Sequence, residues 1–510
     1  MISLQLYETS PANMPFQAVK MGFGRAFPFT PHTGRSYDGV VKFNLHGAFD
    51  AWKETVMARH KVNIQVLSGF LQGDHTILLD ESYTRLRKIP LNQTITLRYG
   101  ASRSSVTVVP VKLSKGMQIG PGLSERLQLR SGTPLCIRYK ASTRTLSVGP
   151  LVGVMVSTVY PRSTSRLFGS MTKFCRELTS ACRQYGAFVY FFTPSGLGNS
   201  TGTVNGWSYD NGWQRGTFPS PDVVYNRLTS RKYENQDNVQ QFMREVKSRY
   251  GGQVFNEKYL NKTEVFDALK ADSLLESYLP ESYLFKNYQM LKSMCARHKV
   301  VFLKPIVGSL GKGIIRIAGE QGKYTCHHSN VNGTIKKSYP NLSSLFKTIS
   351  GKLKRARFQI QQGVNLLTVS GSPVDFRALV QRDDKGDWKI TSIVGRIAGS
   401  QHFVSNLARG GSLGTVGSVL GKSNLSSGSY AAVHQRLRKA SLDLAKGVET
   451  HIPGHFAELG IDLGVDTGGK VWLIEVNSKP SKDDNSALDN NKVRPSVREL
   501  VKYARFLAKY

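Results

Sequence analysis

Cysteine is scarce in this chain. Five residues in 510 are Cys (Cys136, Cys175, Cys182, Cys295 and Cys326), and none forms a C-x-x-C pair. That argues against a disulfide scaffold or a cysteine-rich zinc site and for reduced thiols in a cytoplasmic setting. Long apolar runs are missing too. No stretch approaches the ~18 apolar residues of a membrane span, and the N-terminal Met-Ile-Ser-Leu-Gln lacks a basic segment leading into an apolar core. Neither a transmembrane helix nor a signal peptide is expected. Helix-turn-helix, zinc-finger and RNA-binding aromatic signatures are absent, so specific nucleic-acid binding has only charge in its favour. There is also no Ser/His/Asp or Cys/His arrangement for nucleophilic catalysis.

Acidic residues are the other shortage: 35 against 69 Lys and Arg, a net charge of +34. Residues 1–150 carry 19 basic and 8 acidic residues, and the other 360 carry 50 and 27. The excess therefore reads as spread over the surface rather than held in a tail. Such a surface favours anionic substrates or polymers, or serves solubility alone.

The length suits three or four domains. Residues 1–74, with a Pro-rich Ala26–Pro31 segment and a possible helix over Gly47–Arg59, have no legible fold. Residues 75–150 hold an internal repeat. Ile95-Thr-Leu-Arg-Tyr-Gly-Ala-Ser102 matches Leu135-Cys-Ile-Arg-Tyr-Lys-Ala-Ser142 at an offset of 40, and Val106–Pro110 matches Leu146–Pro150. Short alternating strands in two copies predict a small duplicated all-β, barrel-like domain that protects its own edges.

Residues 151–255 read as a parallel α/β unit: apolar strands at Leu151–Ser157 and Ala187–Phe192 flank an amphipathic helix whose stripe includes Cys175 and Cys182. A third strand, Pro221–Arg227, ends in Asn226 and Arg227. Ligands of open α/β sheets sit beyond the carboxyl ends of strands, so these two are substrate-site candidates, with a plain strand cap as the alternative.

Residues 256–510 carry the chemistry. Asn261 or Thr263 marks a helix start, and a further helix covers Tyr288–Arg297. In Val300–Ile317 a strand, a glycine loop and a second strand follow one another. Gly308, Gly311 and Gly313 let backbone N–H groups approach phosphate oxygens, and Lys304 stands at the strand's exit. Gly313 after Lys312 breaks the P-loop pattern, so a β-hairpin flap is expected. Cys326-His-His328 reads as a surface loop. Asp375 and Arg377 share a strand face, and the polar, glycine-rich Phe403–Gly411, with Arg409, Gly410 and Gly411, is a ligand-loop candidate. Near the end, Leu459–Asp466, the turn Thr467–Gly469 and Lys470–Pro480 predict a hairpin. Strict alternation puts Leu473, Glu475 and Asn477 on one face and Trp472, Ile474 and Val476 on the other. Folding the hairpin brings Asp462 near Glu475, so three oxygen donors converge as a hard divalent cation requires. Two capped strands with solvated acids are the alternative.

In this order, these segments from about residue 151 onward resemble the ATP-grasp fold, and within it the YheC/YheD endospore coat-associated family, whose likeness extends to the β domain. The resemblance implies an α/β (α+β ATP-grasp) architecture. It implies that Lys262 and Lys304 contact ATP phosphates under a flap of Gly308, Ser309, Gly311 and Gly313, and that Gln361, Gln362 and Val364 form the adenine hinge. Arg377 and Asn406 would face the phosphates and the acyl intermediate, and Asp462, Glu475 and Asn477 would bind Mg2+, two ions in all, with Mn2+ as a substitute. Where many relatives place a ribose-binding Glu at the hinge, Gln stands here. The implied activity is activation of a carboxylate as an acyl phosphate for attack by an amine. Its substrates are not given by the resemblance, and the charge points to an anionic peptide or polymer. The alternative is a spore-associated structural protein that binds nucleotide without turnover.

Overall fold

Alternating apolar residues from both copies of the repeat, among them Ile77, Leu79, Ile95, Leu97, Val106, Val108, Leu135 and Leu146, point into a single core. In the computed structural model seven strands close around it, in the order Lys61–Val66, Gly116–Ile119, Thr76–Asp80, Ser102–Val111, Thr94–Tyr99, Thr145–Gly149, Pro134–Lys140. The structure describes residues 61–69, 73–113, 116–163, 165–198, 202–306, 313–330, 333–399, 411–426, 429–482 and 493–510. The helix expected over Gly47–Arg59 lies outside them. Each repeat supplies a strand, a short helix (Glu81–Arg87 or Pro121–Leu127) and two more strands. The equivalence extends to the backbone: Lys88 and Gln128, 40 positions apart, both end their helices in the left-handed conformation. Strand Lys61–Val66, upstream of the repeat, completes the closure by pairing with one strand from the second copy on each side.

A six-stranded sheet follows, ordered Trp213–Pro219, Thr203–Tyr209, Phe188–Phe192, Leu151–Met155, Val223–Asn226, Gln253–Phe255. Its last four strands are parallel. Helix Thr172–Tyr185 buries Phe174, Cys175, Leu178 and Cys182 against it, and the C-terminal helix Pro495–Leu507 adds Val497, Leu500, Val501 and Ala504 to the same core. The chain's last helix thus returns to its middle domain.

Two antiparallel sheets complete the fold. The smaller is ordered Ser282–Leu284, Phe358–Gln362, Val300–Pro305, Ile315–Glu320, Lys323–Asn330, Gly333–Tyr339. Helices Tyr288–Arg297 and Leu342–Arg355 cover one of its faces through Leu291, Met294, Leu345 and Ile349. Val300–Pro305 and Ile315–Glu320 are antiparallel neighbours, as a flap hairpin requires. Cys326-His-His328, expected in a surface loop, lies within strand Lys323–Asn330, with Cys326 in the core. Its period-2 neighbour Tyr324 shares that face, and the polar His pair concealed the strand. The larger sheet runs Ser412–Thr415, Trp388–Ile397, Ser372–Arg382, Glu458–Val465, Val471–Asn477, backed by helix Tyr430–His451.

Candidate functional site

The two antiparallel sheets face each other across a cleft of ≈ 580 Å³, within the usual size range of small-ligand pockets. From the small sheet come Phe302, Lys304, Ile314, Arg316 and Gln361. From the large one come Asp375, Arg377, Arg396, Asp462, Ile474, Glu475 and Asn477.

The hairpin turn forms as its sequence suggests. Asp466 Oδ1 accepts from the N–H groups of Gly468 (3.0 Å) and Lys470 (2.9 Å), and Gly469 takes φ +82°. Asp462 then lies opposite Glu475, and Gly460 opposite Asn477. Strict alternation does not hold, however. Asp462 pairs with Glu475 but Leu463 with Leu473, so Ile474 is an extra residue, a β-bulge. The bulge reverses parity. Val471, Leu473 and Val476 enter the core, while Trp472, Ile474, Glu475 and Asn477 face the cleft. Leu473 therefore does not share a face with Glu475, nor Val476 with Trp472.

Cross-strand neighbours on the large sheet build a charge ladder. Arg377 Nη2 donates to Asp462 Oδ2 at 3.0 Å, and its Nε reaches Oδ1. Arg396 donates to both oxygens of Asp375 (2.6 and 2.8 Å) and to Asp462 Oδ1 (3.0 Å). All four side chains are buried. Burial would raise the Asp462 carboxyl, but Arg377 and Arg396 outweigh it and hold it below the usual carboxylate range. The sequence put Asp375 on the face of Arg377 without giving it a role, and nothing in it singled out Arg396. Their direct opposition across two strands, the one signal of their pairing, needs the register.

Lys304 lines the cleft and donates to Gln361 Oε1 on the neighbouring strand of its own sheet. Enclosure, reinforced by Lys262, lowers its pKa to about 8, with Glu475 opposing. Gln361 is buried, and its Nε2 has no hydrogen-bond partner among the described residues. An unpaired buried donor beside a partly desolvated ammonium suits an acceptor-rich ligand. Lys262 begins helix Lys262–Lys270, capped by Asn261 Oδ1 accepting from Thr263 N at 3.0 Å, and its Nζ lies 3.7 Å from Glu475 Oε1. Glu475 is held above the ordinary carboxylate range by burial and then by Asp462, against the pull of Lys262. A half-buried carboxylate with no guanidinium hydrogen-bonded to it among the described residues, and the Asn477 amide on the same face, is a donor set that fits Mg2+. Asp462 already accepts three hydrogen bonds, leaving about one lone-pair site for a metal.

Gln362, Gly363 and Val364 link the sheets. Gln362 N and Oε1 bond the backbone of Glu281, and Gly363 N donates to Val300 O at 2.8 Å. Gln362 and Val364 both line the cleft. Gly313, at φ +75°, ends the flap loop on the small-sheet side. Gly411 immediately precedes the edge strand Ser412–Thr415. Gly308, Ser309, Gly311, Asn406, Arg409 and Gly410 lie outside the described residues.

Asn226 and Arg227 do end their strand, but in a buried cluster rather than on the cleft wall. Asn226 bonds Glu234 Oε2 (3.0 Å) and Glu257 O (3.2 Å). Arg227 lies 3.7 Å from Glu458, which also pairs with Lys482 at 2.5 Å. Lys479, which lines the cleft, joins this cluster through Glu234.

Residues 251–507 match the family model described as YheC/D like ATP-grasp. Endospore coat-associated protein YheD of Bacillus subtilis (strain 168) is 30% identical over 367 residues, covering 71% of this chain and 80% of that protein. Endospore coat-associated protein YheC of the same organism is 22% identical over 316 residues, covering 60% and 84%. Among solved structures, D-alanine–D-alanine ligase from Bacillus anthracis complexed with ATP is 11% identical with a TM-score of 0.42, covering 71% of this chain and 99% of that one. ATP-grasp ligase PsnB complexed with minimal precursor is 14% identical with a TM-score of 0.40, covering 70% and 99%.

Proposed function

The chain belongs to the YheC/D-like ATP-grasp family, and from that premise we propose that it is an ATP- and Mg2+-dependent ligase that activates a carboxylate for attack by an amine. The supporting observation is the cleft's division of labour. Lys304 and the unpaired Gln361 amide line it from the small sheet, Arg377, Glu475 and Asn477 from the large one, and Lys262 stands 3.7 Å from Glu475. Phosphoryl transfer needs positioning and charge neutralisation rather than a protein nucleophile, and this is what such a set provides.

In this reading Lys304, held by Gln361, and Lys262 bear on the ATP phosphates. Arg377, steadied by Asp462, faces the charge that develops as a substrate carboxylate oxygen attacks the γ-phosphorus and the bond to ADP breaks. The amine then displaces phosphate from the acyl carbon and gives up a proton. Glu475 and Asn477, with Asp462, would hold Mg2+, which neutralises phosphate charge when bound. Gln362 and Val364 bound the adenine end. Asn226 and Arg227 act on the carboxylate or amine substrate through the cluster they share with Lys479. The flap residues Gly308, Ser309 and Gly311 and the loop residues Asn406, Arg409, Gly410 and Gly411 complete the site. We further propose a role in spore-coat or cell-envelope maturation, a reading supported by the description of both relatives as endospore coat-associated. No helix among the described residues is long and apolar enough to cross a membrane.

Thermal unfolding with ATP, with and without Mg2+, tests this. A ligand at 100 times its Kd adds about 2.7 kcal/mol of stability, and no shift with ATP would refute the assignment. Phosphate release is then screened with amino acids, short peptides and poly-acidic polymers. Binding without release in every case would favour a structural protein that only holds nucleotide.

A further inference from the structure

The positive charge is not evenly spread once the fold is known. Residues 282–362, the small sheet and its two helices, contain 15 Lys and Arg and one acid, Glu320. This segment thus carries +14 of the chain's +34 in 81 of its 510 residues. Of the fourteen basic residues there that the structure describes, a salt bridge joins one, Arg297, to a carboxylate, that of Glu281. Like charges at this density repel one another and work against the compact state.

Part of the charge is laid out as a track. Residues directly opposite on neighbouring strands share a face, and the register gives one row: Gln361 opposite Phe302, Phe302 opposite Arg316, Arg316 opposite His327, His327 opposite Lys336. The other face of the sheet carries Val301, Leu303, Ile315, Ile317 and Cys326 against the helices, so this row lies on the open face. Gln361, Phe302 and Arg316 line the cleft, while Lys336 is exposed on the sheet's edge strand. Arg316 Nη1 and His327 Nδ1 are 3.3 Å apart.

We propose that this row is a docking track for an acidic polypeptide, whose carboxylates pair with Lys336 and Arg316 and accept a hydrogen bond from His327 as it runs from the sheet edge into the cleft. Strands lie about 4.8 Å apart, so Lys336 and Phe302 are separated by about 14 Å. An extended chain covers that distance in about four residues. Burial, Arg316 and Lys336 hold His327 below its ordinary pKa, a sign that the field there is already positive. The polypeptide is favoured over nucleic acid because the reaction proposed above, on which this choice of partner rests, requires a carboxylate to phosphorylate, and nucleic acid has none.

The test measures binding of poly-L-glutamate, and of single-stranded DNA of equal charge, to the full chain at physiological salt. It compares wild type with Lys336→Glu/Lys337→Glu and with a barrel control of equal charge change, Arg103→Glu/Lys112→Glu. All four side chains are exposed. Reversing Lys336 on the track together with Lys337, the next exposed residue of the same edge strand, is expected to weaken poly-L-glutamate binding roughly tenfold or more, while the control changes it little. Equal loss in both variants would reduce the effect to net charge, and absence of poly-L-glutamate binding would overturn the track. DNA binding as tight, with the same sensitivity to Lys336→Glu/Lys337→Glu, would overturn the choice of partner. ATP thermal shifts on the same proteins keep the two proposals apart. Loss of the ATP shift alone sinks the ligase reading, and loss of selective polymer binding alone sinks the track.

Discussion

Nucleotide affinity is expected to fall as pH rises through the titration of Lys304. In the free protein this amine has a pKa of about 8, because enclosure and Lys262 both disfavour its charge. A bound phosphate would restore the charge and lift the pKa toward the ordinary ~10.4. At pH 7.5 most of the free protein already carries the proton. At pH 9 only about a tenth does, and binding must draw the proton from solvent. Linkage between those two pKa values gives a loss of roughly eightfold to tenfold in affinity from pH 7.5 to 9, or about 1.3 kcal/mol. Calorimetric ATP titration in buffers of different ionisation enthalpy reads both quantities, with uptake approaching ~0.9 proton per ATP at pH 9. Lys304→Arg, which stays charged throughout, should flatten the profile. Stability of the free protein moves the other way. Between about pH 8 and ~10.4 the unfolded chain holds the proton that the folded chain has released, so stability rises with pH. A flat wild-type affinity, or titration without proton uptake, would show that Lys304 does not meet the nucleotide.

Glu475→Gln should abolish the Mg2+-dependent part of the ATP thermal shift and lower turnover by roughly 100-fold or more. The free protein should lose no stability, because burial already disfavours the Glu475 charge. Gly363→Ala would place a Cβ 2.5 Å from Val300 Cγ1 and 2.8 Å from Val300 O. It should cost about 1–3 kcal/mol in urea unfolding and weaken ATP binding by displacing the hinge. Arg396→Met strips Asp375 of its two guanidinium hydrogen bonds, which should cost about 3–5 kcal/mol. Replacing Asp375 by Leu in the same chain should recover much of it, and denaturant midpoints check both.

Much of the fold was legible because it repeats simple periods. The 40-residue offset revealed the barrel, since equivalent turns carry equivalent residues down to the left-handed Lys88 and Gln128. Apolar strands around an amphipathic stripe disclosed the parallel sheet. Closure by Lys61–Val66 was not visible, because a lone strand has no partner until the barrel exists. Cys326-His-His328 misled for a related reason: its alternation spans only Tyr324, Cys326 and His328, too short to stand out beside two polar rings.

The site was legible where it depended on residue type and hidden where it depended on register. Asp462 and Glu475 could be brought together from the hairpin alone, since a two-strand turn fixes which residues meet. The bulge at Ile474 could not be seen, because one inserted residue leaves no compositional mark and yet exchanges the faces of every residue before it. Without that bulge Trp472 would share the Val476 face, in the core, and the cleft wall beside Glu475 would be Leu473. The arginine ladder was hidden for the same reason. Arg377, Arg396, Asp375 and Asp462 lie up to 87 residues apart in the chain, and only three adjacent strands in register make them neighbours. Its consequence is chemical. A carboxylate that accepts from two guanidiniums offers a metal less than one that accepts from none. Of the two carboxylates proposed to hold Mg2+, the better suited is therefore Glu475, whose half-buried charge has Lys262 at 3.7 Å, and Asp462 serves first to hold Arg377 in place.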